Sequence, residues 1–161
     1  MKNLTLLLSM LVTSMTAFTQ DYSNLGSIPL DDSMQCKKAE SKVLECSDYL
    51  LSKPCVEDLN SLKVCQFLLK WMGQTPDYQF GFDDNLYKSI KSDMMLMGRY
   101  LACQSKIAIN EKPKSFDKDF QFKYIKMFLE YCEDSKNEVK ISARIKKLIE
   151  AKNNGKLMDE I

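Results

Sequence analysis

Apolar residues recur three and four positions apart along most of the chain, the repeat of helices that bury one face. Over residues 34–51 the stripe is Cys36, Ala39, Val43, Cys46 and Leu50, with Asp32 or Ser33 as the N-terminal cap. Ser52-Lys53-Pro54 makes a turn, and Pro54 suits the first position of a second helix. There the stripe is Cys55, Leu59, Leu62, Cys65 with Gln66, and Leu69; Trp71 and Met72 close it, and Gly73 can stop it. A third helix over 86–109 carries Leu86, Ile90, Met94, Met97, Leu101 and Ala108, capped by Asp83, Asp84 or Asn85. Gly98 falls inside that pattern at a cost of roughly 1 kcal/mol relative to alanine, which predicts a close helix–helix contact. A fourth helix over 116–133 buries Ile125, Phe128, Leu129 and Cys132, and a fifth over 138–152 buries Ile141, Ile145, Leu148 and Ile149. No strand of useful length is predicted. The expected fold class is all-α: a disulfide-stapled helical hairpin followed by a C-terminal helical bundle, with four or five helices in total.

The N-terminus follows a different rule. Lys2, an apolar run over residues 4–12 broken only by Thr5 and Ser9, and small residues up to Ala17 read as a secretory signal peptide. The run is too short and wrongly flanked for a membrane-spanning helix. Cleavage after Thr19 leaves Gln20 first; cleavage after Ala17 is the alternative. The expected organisation is a signal peptide at 1–19, a flexible polar arm at 20–33 and a single helical domain at 34–161. For the arm, the alternative is a segment laid on the body through Leu25, Ile28 and Leu30. The chain is expected to be exported, either periplasmic or secreted.

Composition narrows the chemistry. There is no histidine in the 161 residues, which excludes a Ser-His-Asp triad, a Cys-His pair, an H-E-x-x-H zinc site and histidine-ligated haem. With 23 basic and 22 acidic residues, loss of Lys2 leaves the mature chain neutral, which argues against nucleic acid or an anionic membrane as the main partner. No C-x-x-C redox motif occurs. No stable membrane insertion, no catalytic residue set, no metal site and no cofactor is expected.

Six cysteines in an exported chain favour disulfides. Cys36, Cys46, Cys55 and Cys65 read C-x9-C, eight residues, C-x9-C. Ten residues of helix span about 15 Å, so Cys36 cannot reach Cys46 within one helix. Across an antiparallel pair, Cys36–Cys65 with Cys46–Cys55 keeps both bonds on facing stripes, whereas the crossed pairing needs long axial reaches. The nested pairing is the expectation, with a Cys103–Cys132 bond or two buried free thiols both open. The spacing resembles the twin C-x9-C helical hairpins of the mitochondrial intermembrane space, a family that includes a copper chaperone. That resemblance covers Cys36 to Cys65 and implies the same two nested disulfides. The chaperone's adjacent cysteine pair is missing, since Gln35 precedes Cys36. A longer stretch, from KAESKVLECSDYLLSKP through QFLLKWMGQTPDYQF, resembles small exported helical proteins of bacteria with no assigned activity; it implies an all-helical fold and no chemistry.

Candidate binding residues lie in the aromatic connection: Trp71, Asp77, Tyr78, Phe80 and Phe82 line a partner site or plug the two helical halves together. Met94 and Met97 share a helix face and offer soft sulfur to Cu(I), or simply fill the core. Asp77, Asp83 and Asp84 are read as turn and cap residues rather than as a catalytic pair. Lys140, Arg144, Lys146, Lys147, Lys152 and Lys156 make a basic last helix, read as a solvated face. The leading functional expectation is an exported, non-enzymatic binding or structural protein whose partner is another exported protein. The alternatives are periplasmic copper handling and an enzyme that uses carboxylates in place of histidine.

Overall fold

The computed structural model describes residues 22–161; the expected signal peptide at 1–19 and its expected cleavage site lie outside the described residues. The described chain is all-helical. The elements are α1 (Ser33–Lys38), α2 (Glu40–Leu51), α3 (Leu59–Gln74), α4 (Asp84–Ile90), α5 (Met94–Glu111), α6 (Lys118–Glu133), α7 (Ala143–Asn153) and α8 (Leu157–Glu160), with 3-10 turns at Leu25–Ser27 and Ser135–Asn137.

Aspartate starts most of the helices. The carboxylates of Asp32, Asp58, Asp83, Asp93 and Asp117 accept from the backbone amides of Gln35, Ser61, Leu86, Leu96 and Phe120, and Ser142 does the same for Ile145. Each side-chain oxygen satisfies an amide that the first helical turn leaves without a partner. These caps also explain where the boundaries depart from expectation. α3 starts behind Asp58, not at Pro54, so Cys55 sits in the connection and donates its amide to the Asn137 carbonyl at 2.7 Å. The expected third helix is two, because Asp93 leaves the helix and caps a new one.

α5 is the centre of the molecule. It packs on α2, α3 and α6, and Tyr100, Ala102, Cys103 and Ala108 are fully buried along it. A helix buried on every side needs small residues where its neighbours approach most closely. Gly98 is that point. Cys65 Sγ of α3 rests on it so closely that a Cβ there would overlap the sulfur, and Leu50 Cδ1 of α2 would lie 3.6 Å from that Cβ. The close contact expected at Gly98 is therefore a junction of three helices. On the far side, Tyr100 meets Tyr124 and Phe128 of α6 edge-on, at centroid distances of 5.5 and 5.4 Å.

Residues 22–30, within the segment expected as an arm, lie against the body. Tyr22, Leu25 and Leu30 are buried, and the Leu25–Ser27 turn packs on α3. Apolar burial at three positions holds this segment on the body. The basic last helix is locally neutralised: Arg144 faces Asp83 and Glu160, Lys147 bonds Glu160 at 2.6 Å, and Lys152 bonds Glu133.

The Gly98 junction is testable by overpacking. Gly98→Ala should cost about 1–3 kcal/mol in urea unfolding, in spite of alanine's better helix propensity. Cys65→Ala in the same chain should recover part of that loss. A Gly98→Ala protein as stable as the parent would refute the close approach.

Candidate functional site

The aromatic connection divides into two parts. Trp71 is fully buried and its indole N–H donates to the Cys36 carbonyl at 3.0 Å. Tyr78 and Phe80 pack on it with centroids 5.8 Å away in each case. The Tyr78 hydroxyl donates to Glu40 Oε1 at 2.7 Å, and burial together with that carboxylate pushes its pKa up to about 12. Trp71, Tyr78 and Phe80 thus pack as one aromatic cluster, with Phe80 partly buried. Asp77 stays at the surface, 4.0 Å from Lys37. Phe82 leaves the cluster: it stacks on Tyr100 at 5.7 Å, meets Tyr87 at 4.8 Å and remains partly in solvent.

A groove of about 340 Å³ opens beside Phe82, between α3, α4 and α5. Cys65 and Gly98 contribute to its lining, as do Leu69, Tyr87, Met94 and Met97. Four large apolar side chains stay exposed around it: Leu69 at 59%, Met94 at 58%, Phe82 at 42% and Tyr87 at 38%. Lys91 is the one charged residue in the lining, and Gln66 the one amide.

Sequence periodicity missed this groove because it set the phase of α3 wrongly. The expected inward stripe included Leu59, Leu62 and Leu69. Of the full stripe, Cys65 and the closing Trp71 are buried as expected and Leu62 is partly buried, but Leu59 and Leu69 are exposed while Ser61, Val64, Phe67 and Leu68 are buried. Val64, Leu68 and Trp71 repeat as regularly as the other set, so both phases are legible and only packing chooses. α2 and α3 also turn much of their buried surface to α5 rather than to each other.

That choice redirects the cysteines. No sulfur is bonded to another in the structure. Cys36 Sγ faces the Leu30 carbonyl at 3.6 Å, and Cys65 Sγ lies on Gly98 near the Met94 carbonyl. Cys46 lies on α2 close to Tyr22, and Cys55 lies in the α2–α3 connection close to Arg99. Cys103 and Cys132 are both buried between α5 and α6.

Arg99 is the functional-looking residue that the pattern hid. It is fully buried with no carboxylate bonded to it: Nη2 donates to the Pro54 carbonyl at 2.8 Å, Nη1 to the Met95 carbonyl at 3.2 Å and Nε to the Tyr131 hydroxyl at 3.3 Å. Tyr131 in turn donates to the Lys53 carbonyl at 2.7 Å. The guanidinium thus ties the α2–α3 connection to α5 and α6. Burial raises all six thiols above their ordinary range, to about 12 at Cys46 and about 11 at Cys65, with Arg99 offsetting part of the rise at Cys55 and Cys65. Thiols held protonated are poor nucleophiles at neutral pH. Four carboxylates are displaced downward. At Asp58 and Glu133 burial pushes upward but is outweighed, by Ser61 and by Lys152 respectively; at Asp117 the Phe120 amide does it, and at Glu160 Lys147 does. These four are anions at neutral pH, not proton donors. Asp83 caps α4 and meets Arg144.

The chain belongs in class to all-α bundles with a surface groove. No family model, no curated protein and no solved structure matches it.

Removing the buried guanidinium should unfold the molecule more readily. Arg99→Met keeps the stem and strands the Pro54 and Met95 carbonyls, so a loss on the order of 3 kcal/mol in chemical denaturation is expected. Arg99→Lys should recover only part of it, because one ammonium cannot span the same fork of acceptors. If Arg99→Met unfolds like the parent, Arg99 does not hold the connection.

Proposed function

We propose that this is an exported, non-enzymatic binding protein whose contact surface is the groove between α3, α4 and α5. The observation that carries the reading is the exposure of Leu69, Phe82, Tyr87 and Met94 around one concavity. Contiguous exposed apolar side chains on a folded chain mark a contact site more often than singly scattered ones do. The protonated thiols, the displaced carboxylates and the lack of histidine favour binding over catalysis. A fluorescent apolar probe, N-phenyl-1-naphthylamine, tests it. The probe should brighten on the parent protein, and Leu69→Asp should weaken its binding about tenfold or more. Leu59→Asp, an equally exposed position outside the lining, should leave it unchanged. Absence of probe binding, or equal damage from both variants, would remove the reading.

A second reading, Cu(I) handling, draws on the same cavity, because Cys65 joins Met94 and Met97 in its lining and soft sulfur suits that ion. A Cu(I) titration of the parent and of the Met94/Met97 double substitution separates it; no tight binding by the parent removes it.

The covalent staple is a further part of the proposal. Closing Cys36–Cys65 and Cys46–Cys55 requires the four sulfurs to turn from their present neighbours toward each other. Alkylation and peptide mapping of the unreduced protein decide it. A staple leaves zero or two reactive thiols and a peptide joining Cys36 to Cys65, whereas four or more free thiols would exclude it.

A further inference from the structure

We infer that the groove takes a single-chain anionic amphiphile, a free carboxylate on an alkyl chain of roughly ten carbons; this rests on the reading of the groove as the contact surface. Three observations carry it.

The first is size. A volume of about 340 Å³ lies at the low end of small-ligand pockets. At about 30 Å³ for a water-sized group, it holds roughly ten of them in a row or cluster. A standard protein partner engages about 20–30 residues on each side, whereas ten residues line this groove. The patch suits a small ligand better than a second copy of the chain.

The second is chemistry. The walls come from Leu69, Phe82, Met94, Met97 and Leu101, with Cys65 at their base against Gly98. Alkyl chains gain from such walls by leaving water, without needing any directional partner. The thioethers of Met94 and Met97 adapt their shape to a flexible chain.

The third is charge. Lys91 is the single charged residue of the lining, and no carboxylate lines the groove. Among the described residues Lys91 takes part in no ion pair. Tyr87 stands one helical turn before it, since the Lys91 amide donates to the Tyr87 carbonyl at 2.9 Å. Residues four apart share a helix face. An ammonium and a phenol on one rim are both donors to a carboxylate, and the ammonium repels a cationic headgroup.

Displacement of N-phenyl-1-naphthylamine tests this with decanoate, decan-1-ol and decylamine, each below its micelle concentration. Decanoate should compete best and decylamine worst. Along the series from hexanoate to dodecanoate, affinity should rise roughly fourfold per methylene and level off near ten carbons. Lys91→Glu should weaken decanoate about fivefold more than it weakens decan-1-ol or the probe, and Tyr87→Phe should weaken decanoate more than decan-1-ol, by a smaller factor. If the three headgroups compete equally, or if Lys91→Glu leaves decanoate unchanged, the carboxylate inference is overturned while the groove stands. If the probe fails to bind the parent, the groove reading itself falls. Concentration-dependent dimerisation that excludes the probe would assign the groove to a second copy and overturn the inference as well. Lys91 is exposed, so its variants should keep the parent's helical circular dichroism.

Discussion

At Gly98 the backbone of α5 comes within reach of two helices at once, Leu50 from α2 and Cys65 from α3. No side chain other than hydrogen lets both arrive. The consequence runs through the whole molecule: a helix so approached on one side and packed against Tyr124 and Phe128 on the other has almost no solvent face. Its polar residues must then find partners indoors. Arg99 does so with backbone carbonyls and a phenol, which fastens the α2–α3 connection to the end of α6. Desolvating a charge is costly unless its donors are met, so this fastening has to form together with the core.

The interior that results is chemically quiet. Its thiols are protonated and its caps are spent on backbone amides. On the last helix, Asp83, Glu133 and Glu160 pair with Arg144, Lys147 and Lys152. What stands out is an apolar concavity left where α3 and α5 meet under α4. It exists for the same reason as the core: the close contact at Gly98 leaves a dip in the surface, and Leu69 and Met94 project beside it.

Legibility differed from element to element. Helix presence was readable, and so were the caps Asp32 and Asp83, because aspartate before an apolar run has a local cause in the unpaired amides of a first turn; Asp58, Asp117 and Ser142 were not singled out. Asp93 was passed over since the apolar repeat continues across it. Cys36, Ala39, Val43, Cys46 and Leu50 are buried as the pattern of α2 and its preceding turn requires, and so are Ile125, Phe128, Leu129 and Cys132 of α6. In α3 two apolar stripes compete, and matching the cysteines of two helices selected the one that faces outward. Of the candidate binding residues, Phe82 borders the groove, whereas Trp71, Tyr78 and Phe80 close the interior. Leu69, Tyr87 and Lys91 were not singled out as a site because they are far apart in the chain.

By itself, the sequence determined an all-helical chain without histidine chemistry, the caps of two helices, and a glycine that marks a close approach. These follow from local hydrogen bonding and from side-chain type. Which helix Gly98 would meet, which way α3 would turn, and whether the cysteine stripes would face each other were decided by tertiary structure alone. The physical reason is that a stripe specifies that a face must be buried and not what buries it. Here α5 packs on both α2 and α3, which also contact each other.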